Sequence, residues 1–313
     1  MRRCLARLLV LLACLAGGAA WGCSFVTSGN ALGSVSSFVV RSGPVRTGTA
    51  VTELRCNGVV LALGNGNPVL SASISGATTG LTLKNGTDSI PYSVTAASGT
   101  PYSTGQLVVS ANGANLVSLL GSNGARVPFN ITTGLSANVA AGIYTDTLTV
   151  LWTYANICEG VIGLGDICVG VPASGTNVPS TLQITLTVTN DCAINAPDIQ
   201  FGSAPLLSAF PVVSQNMGFL CTKGMVYTVG LSAGGSPLAG RRQMSSGTNR
   251  LQYDIFKPDS TVWGLTAGAR ANAVGIPDGT TNQLMPYTAR IYTDQPLPAA
   301  GIYTDSITVD VGF

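Results

Sequence analysis

An all-β chain of two tandem domains is what this sequence predicts, on three observations. Short segments rich in Val, Ile, Thr and Tyr alternate in polarity between clusters of Gly, Asn, Asp and Pro, the pattern of half-buried strands. Beyond the N-terminal leader no window sustains a 3.6-residue apolar period. The run AAGIYTDTLTV at Ala140–Val150 returns as AAGIYTDSITV at Ala299–Val309, nine of eleven positions being identical at a spacing of 159 residues, which marks a duplication. A length of 313 residues accommodates two domains of ordinary size. Two small β-sandwiches of immunoglobulin-like type follow.

In chain order, residues 1–22 read as a secretory signal. Arg2, Arg3 and Arg7 form a basic start, Leu8–Ala16 is an apolar stretch too short to span a bilayer, and Ala20-Trp21-Gly22 offers small residues for cleavage before Cys23. Cys14 and Cys23 also invite a lipoprotein reading, which their flanking residues fit poorly. Losing those three arginines leaves 12 basic residues against 13 acidic ones, a net of −1. The mature chain reads as exported and soluble.

Six cysteines remain: Cys23, Cys56, Cys158, Cys168, Cys192 and Cys221. An even set in an exported chain without histidine is a disulfide framework rather than a zinc site. Cys23 and Cys56 open the first copy as Cys192 and Cys221 open the second, so the repeat pairs them accordingly and leaves Cys158–Cys168 as a local staple. The copies also match at Ile90-Pro91-Tyr92-Ser93-Val94 against Leu251-Gln252-Tyr253-Asp254-Ile255, and at Val127-Pro128-Phe129 against Met285-Pro286-Tyr287. The boundary falls at Asn190-Asp191, giving domains 23–190 and 191–313.

Strands are expected at Val69–Ile74, Gln106–Ser110, Met225–Leu231 and Ile302–Phe313. After its GIYTD strand the first copy runs through a long loop to TLQITLTVTN at Thr181–Asn190, where Leu182, Ile184, Leu186 and Val188 alternate with polar residues. The second copy stops at Phe313 with no counterpart to that strand. A sandwich lacking its final strand exposes a hydrophobic cleft bordered by unpaired backbone groups, a template for an incoming strand. With nothing before Cys23 to donate, such a subunit is expected at one end of a strand-exchange polymer.

Composition excludes other classes. No histidine is present, which removes the commonest general base and zinc ligand. A formal charge of +2 spread along the whole chain offers no basic stripe for nucleic acid. The nearest carboxylate pair, Glu159 and Asp166, lies on one loop, a poor start for a glycosidase. Asp146 and Asp305 recur at equivalent places and read as turn caps; Tyr144 and Tyr303 read as tyrosine corners. No enzyme, cofactor or metal site is expected.

Phe201-Gly202 soon after Cys192, CTKGMVYTVGLSAGG at Cys221–Gly235, LQYDIF at Leu251–Phe256 and the terminal G-x-Y-x-D-x-x-x-V strand resemble the spore coat U family, in the form of two-domain tip subunits of archaic chaperone–usher pili of Gram-negative bacteria. The likeness covers the whole mature chain and is most specific in the second domain; the first is more divergent. It implies a periplasmic chaperone that fills the groove of Cys192–Phe313 with its own strand, and an outer-membrane usher. There the N-terminal strand of the adjacent pilin replaces the chaperone's (donor-strand complementation). It also implies that the carboxylate of Phe313 anchors to basic residues of the chaperone, and an extracellular location at the pilus tip.

Three inserts distinguish the first copy. Asn57–Pro68 carries Val59, Val60, Leu61 and Leu63; the stretch before Val127 carries Leu116, Val117, Leu119 and Leu120; Ile157–Pro172 carries Val161, Ile162, Leu164 and Val169. Gly or Asn flanks each run, as at hairpin tips. The strand order assigns them to the B–C, D–E and F–G connections, which share one pole of such a sandwich. They are expected to be apolar fingers that bind a hydrophobic abiotic or host surface and serve biofilm formation. Two alternatives remain: a glycan-binding adhesin using Trp152, Tyr154 and Tyr102, and a secreted structural protein of spore-coat-U type outside any fibre tip.

Overall fold

The computed structural model of the chain describes residues 24–29, 31–55, 59–61, 69–77, 80–96, 99, 101–102, 107–112, 120–121, 124–135, 138–161 and 169–313. The leader is outside these residues. They form two compact units. One comprises the described parts of Met1–Gly33, Val45–Leu135 and Ile143–Leu186; the other comprises Ser34–Pro44, Ser136–Gly142 and Thr187–Phe313. Among the described residues no helix is long and apolar enough to cross a membrane.

Twelve strands are connected through the first unit: β1 Ser24–Ser28, β2 Ala31–Ser36, β3 Thr47–Arg55, β4 Val59–Leu61, β5 Val69–Ala77, β6 Thr82–Asn85, β7 Asp88–Ala96, β8 Leu107–Asn112, β9 Leu120–Gly121, β10 Gly124–Thr133, β11 Gly142–Val161 and β12 Val169–Thr189. The path runs β1-β3-β10-β7-β6-β11-β12-β2, with β4 and β5 on β11, β8 on β5 and β9 on β10. Each strand puts alternate residues inward. Ala50, Thr52 and Leu54 of β3 are buried, as are Leu182, Ile184, Leu186 and Val188 of β12. Thr52 is tolerated there because Ser180 meets its hydroxyl at 3.3 Å, while Ser180 also accepts from Trp152 Nε1 at 2.8 Å. The expected long loop after the GIYTD strand is instead mostly strand. β11 continues to Val161 because β5 pairs it through Ala155 and β4 pairs Cys158–Gly160, and β12 returns from Val169.

The second unit holds α1 Ser37–Ser42, β13 Cys192–Asn195, β14 Val213–Cys221, β15 Thr228–Leu231, β16 Arg242–Ser246, β17 Asn249–Phe256, β18 Ala271–Asn272, β19 Gln283–Ile291 and β20 Val309–Gly312. A five-stranded antiparallel sheet, β13-β14-β19-β17-β16, and a three-stranded one, β18-β15-β20, enclose a core that includes Phe219, Tyr227, Val229, Ile255, Trp263 and Tyr287. Full burial of one such side chain contributes about 1.5–3 kcal/mol. Cys192 and Cys221 face each other in the β13–β14 ladder and are disulfide-bonded. Arg242, with 3% of its side chain exposed, joins the two sheets: it pairs with Asp254 at 2.8 Å and donates to the carbonyls of Leu231, Ser232 and Trp263. The hydroxyl of Tyr292 completes the Asp254 carboxylate at 3.0 Å.

Two expected strands are shorter than their sequence pattern. Met225 and Tyr227 are buried yet precede β15, because their stretch follows a turn closed by Met225 N on the Thr222 carbonyl. Regular pairing at the C-terminus is confined to Val309–Gly312, since Ile302–Thr308 has isolated partners rather than a ladder.

Candidate functional site

The short terminal strand leaves a cleft in the second unit. Ala196–Phe201, following β13, forms one rim and Tyr303–Val309 the other; Met217, Met244, Tyr253 and Ile255 form the floor of a volume of about 310 Å³. Thr304 exchanges both backbone hydrogen bonds with Ser245 of β16, at 2.8 and 3.1 Å, before the chain crosses to β15. Arg270 fastens the far end. Its Nε donates to Thr228 Oγ1 at 2.8 Å, its Nη2 to the carbonyls of Thr228 and Asp310 at 3.1 Å each, and its Nη1 pairs with the Asp310 carboxylate at 2.5 Å. β20 is an edge strand of its sheet.

The first unit supplies the comparison. There β11 meets β6 at Thr145 and β5 from Leu148 to Ala155, as the terminal segment meets β16 and then β15, but β12 occupies its other edge. The inward face of the duplicated strand differs accordingly. Tyr144, Asp146, Leu148 and Val150 are at most 3% exposed, whereas Tyr303, Asp305, Ile307 and Val309 are only half-buried. The same inward pattern, with Ile307 in place of Leu148, is less covered in the second unit.

Asp146 and Asp305 do more than cap turns. Asp146 accepts from Thr147 N at 2.7 Å and from the Tyr92 hydroxyl at 2.8 Å. Asp305 accepts from Ser306 N and Gly235 N at 2.9 and 2.8 Å, and from the Tyr253 hydroxyl at 2.8 Å. Gly234, at φ +81°, lets the turn approach; a Cβ there would run into the Asp305 carboxylate. Burial, reinforced by the adjacent carboxylate, pushes the phenols of Tyr92 and Tyr253 well above their ordinary range. The Tyr303 hydroxyl donates to the Ala299 carbonyl four residues upstream, as a tyrosine corner does. Tyr144 instead bonds to Asp88, and burial and that carboxylate push it up to about 12.

For the apolar inserts, backbone register is informative. Cys158–Gly160 pairs with Val59–Leu61, Val69 pairs with both Ala155 and Asn112, and Gly124 pairs with both Arg55 and Gly121. The strand ends that border the inserts thus meet in two groups, Arg55, Gly121 and Gly124 in one ladder and Val69, Asn112 and Ala155 in another. Val59, Val60 and Leu61 are on β4, Leu120 on β9, Val161 on β11 and Val169 on β12. Leu63, Leu116, Val117, Leu119, Ile162 and Leu164 lie outside the described residues, as do Cys23, Cys56, Cys168 and Asp166. Trp152 is fully buried beneath Phe25, at 5.0 Å between ring centroids, so it offers no platform for a sugar. Phe313 is 70% exposed. No cluster of three metal-ligating side chains occurs among the described residues.

Residues 178–310 match the family described as the Spore Coat Protein U domain. No curated protein sequence matches the chain. Among solved structures, the tip adhesion subunit CsuE, in its pre-assembly complex with the chaperone CsuC from the archaic chaperone-usher Csu pili of Acinetobacter baumannii, is 27% identical with a TM-score of 0.57; the match covers 92% of this chain and 100% of that chain. The CupB6 tip adhesin from Pseudomonas aeruginosa is 11% identical with a TM-score of 0.37, over 93% of both chains.

Proposed function

From a Spore Coat Protein U domain over residues 178–310 as premise, we propose that the chain is a non-catalytic tip adhesin of a chaperone–usher pilus. Its second unit is an immunoglobulin-like sandwich short of one strand, completed first by a periplasmic chaperone and then, at the outer-membrane usher, by the N-terminal strand of the adjacent pilin. The observation that carries this is the paired burial: Leu148 and Val150 are fully buried on β11, which has β12 beside it in the sheet, while Ile307 and Val309 line an open cleft. The likeness to CsuE in its chaperone complex supports the same assembly route. The exposed Phe313 is the end whose carboxylate would meet basic groups of the chaperone. The domains are 23–190 and 191–313, and the protein acts outside the cell.

Supplying the strand tests the proposal. Thr181–Asn190 is repeated after Phe313 through a flexible linker. The second domain alone is expected to aggregate, and the linked form to unfold cooperatively as a monomer. Monomeric, cooperative unfolding without the added strand overturns the reading.

Attachment would reside in the three apolar inserts of the first domain, which the strand order assigns to connections at one pole of the sandwich. If the twelve apolar side chains each bury ~50 Å², roughly 25 cal/mol per Å² gives about 15 kcal/mol before association costs. Many pili acting together add avidity. Serine at Val60, Leu119 and Ile162 is expected to abolish adhesion to plastic with piliation intact; unchanged adhesion would count against the fingers.

A further inference from the structure

Resting on the reading of the second unit as a strand acceptor, we propose that Leu297–Gly301 is a docking surface for the neighbouring pilin domain of the fibre, received by a glycine-bearing turn. The duplication supplies the argument. Shifted by the 159-residue repeat, Asn138–Gly142 of the first copy corresponds to Leu297–Gly301 of the second. In the first copy Val139 is buried and the other four residues are half-buried, and the segment belongs to the second unit. Ala140 makes a parallel β-bridge with Lys223, the Asn138 amide donates to the Asp278 carbonyl, and Val139 is 2% exposed. The receiving turn is built for this approach. Gly279 sits at φ +81°, and a Cβ there would run into the Asn138 amide. Asp278 braces the turn by accepting from Thr280 N and Thr281 N, each at 2.7 Å.

In the second copy the same segment is exposed except at Pro298, the half-buried counterpart of Val139. Leu297 is 62% exposed, and Ala299 and Ala300 are exposed too. Pro296 and Pro298 flank Leu297, fix its backbone in an extended form and remove two N–H groups, so the segment is already ordered for contact. Leucine in place of Asn138 also changes the chemistry of recognition. It has no donor for a carbonyl, so the occupant meets it with apolar and glycine surface rather than an unpaired acceptor. A second pilin domain, presenting the pole that carries such a turn, fits that description.

Thiol accessibility tests the surface. Leu297→Cys, Leu265→Cys and Ile307→Cys variants of the full chain are labelled with a maleimide, first in the chaperone complex and then in sheared fibres. Labelling at Leu297→Cys is expected to fall at least tenfold on passing into fibres, with Leu265→Cys unchanged. Equal labelling in both states overturns the proposal. Protection already present in the chaperone complex also overturns it, because the chaperone would then be the occupant. Ile307→Cys reports on the groove separately. If it labels freely in both states, the strand-accepting reading fails; if it is protected while Leu297→Cys stays reactive in fibres, only the docking surface fails.

Discussion

Asp146 and Asp305 play one role at two depths. Each receives a phenol from the strand that its repeat places opposite, but Asp146 is 3% exposed and Asp305 half-buried. A hydrogen bond to a charged group is worth about 1.5–3 kcal/mol, more where water is excluded. Tyr92→Phe is therefore expected to cost more than Tyr253→Phe in urea unfolding of the strand-linked chain, and strand donation should narrow the gap. The raised phenols also set a pH limit. A raised phenol contributes its full stability below its unfolded value, about 10, and loses it as pH rises through the folded value. Stability from Tyr92, Tyr144 and Tyr253 is thus expected to stay flat through neutral pH and decline from about pH 10 upward. Urea midpoints and ultraviolet phenolate absorbance together check this. The two aspartates were conspicuous in the sequence, but their partners stand 54 and 52 residues away. Only the recurrence of a tyrosine at nearly the same distance in both copies could have found them.

At the scale of elements, alternation read the strands well where a ladder sustains them. β5 begins at Val69 as expected, and the buried face of β12 is the one formed by Leu182, Ile184, Leu186 and Val188. It failed where pairing is interrupted: Ile302–Thr308 has the residues of a strand without a continuous partner. The six-residue helix Ser37–Ser42, capped by Ser36 accepting from Val39 N at 3.4 Å, is too short to show a helical period. The Cys192–Cys221 bridge followed from the repeat. It closes a separation of 29 residues, for which loop entropy gives about 3.5 kcal/mol. Serine at both positions is expected to lower stability by that order in chemical denaturation of the strand-linked chain. The ion pair of Arg242 and Asp254 had no sequence signal, since burial alone makes it consequential. Removing one partner of such a pair typically costs about 3–5 kcal/mol, so Asp254→Ala should be the more severe lesion in the same assay.

At the scale of the molecule, duplication was legible because eleven residues kept nine identities. The grouping of Ser34–Pro44 and Ser136–Gly142 with the second unit was not. Arg41 donates to the Gly279 carbonyl at 2.7 Å across 238 residues of sequence, and Ser37 meets Thr222 at 2.7 Å across 185, contacts that no local pattern announces. Expression of the whole chain is expected to give soluble protein only with its chaperone, as a 1:1 complex by light scattering. Abundant soluble monomer without one would contradict the open-groove account.

The grip of Arg270 on Asp310 carries a practical lesson for anyone handling the tail. A tag fused beyond Phe313 leaves that fastening whole, whereas trimming back past Val309 removes β20 and every acceptor on it. The bank at Tyr303–Thr308 would then keep its pair with Ser245 but lose its continuation onto β15. Removing β20 is therefore expected to loosen the groove even though every residue of its floor is kept.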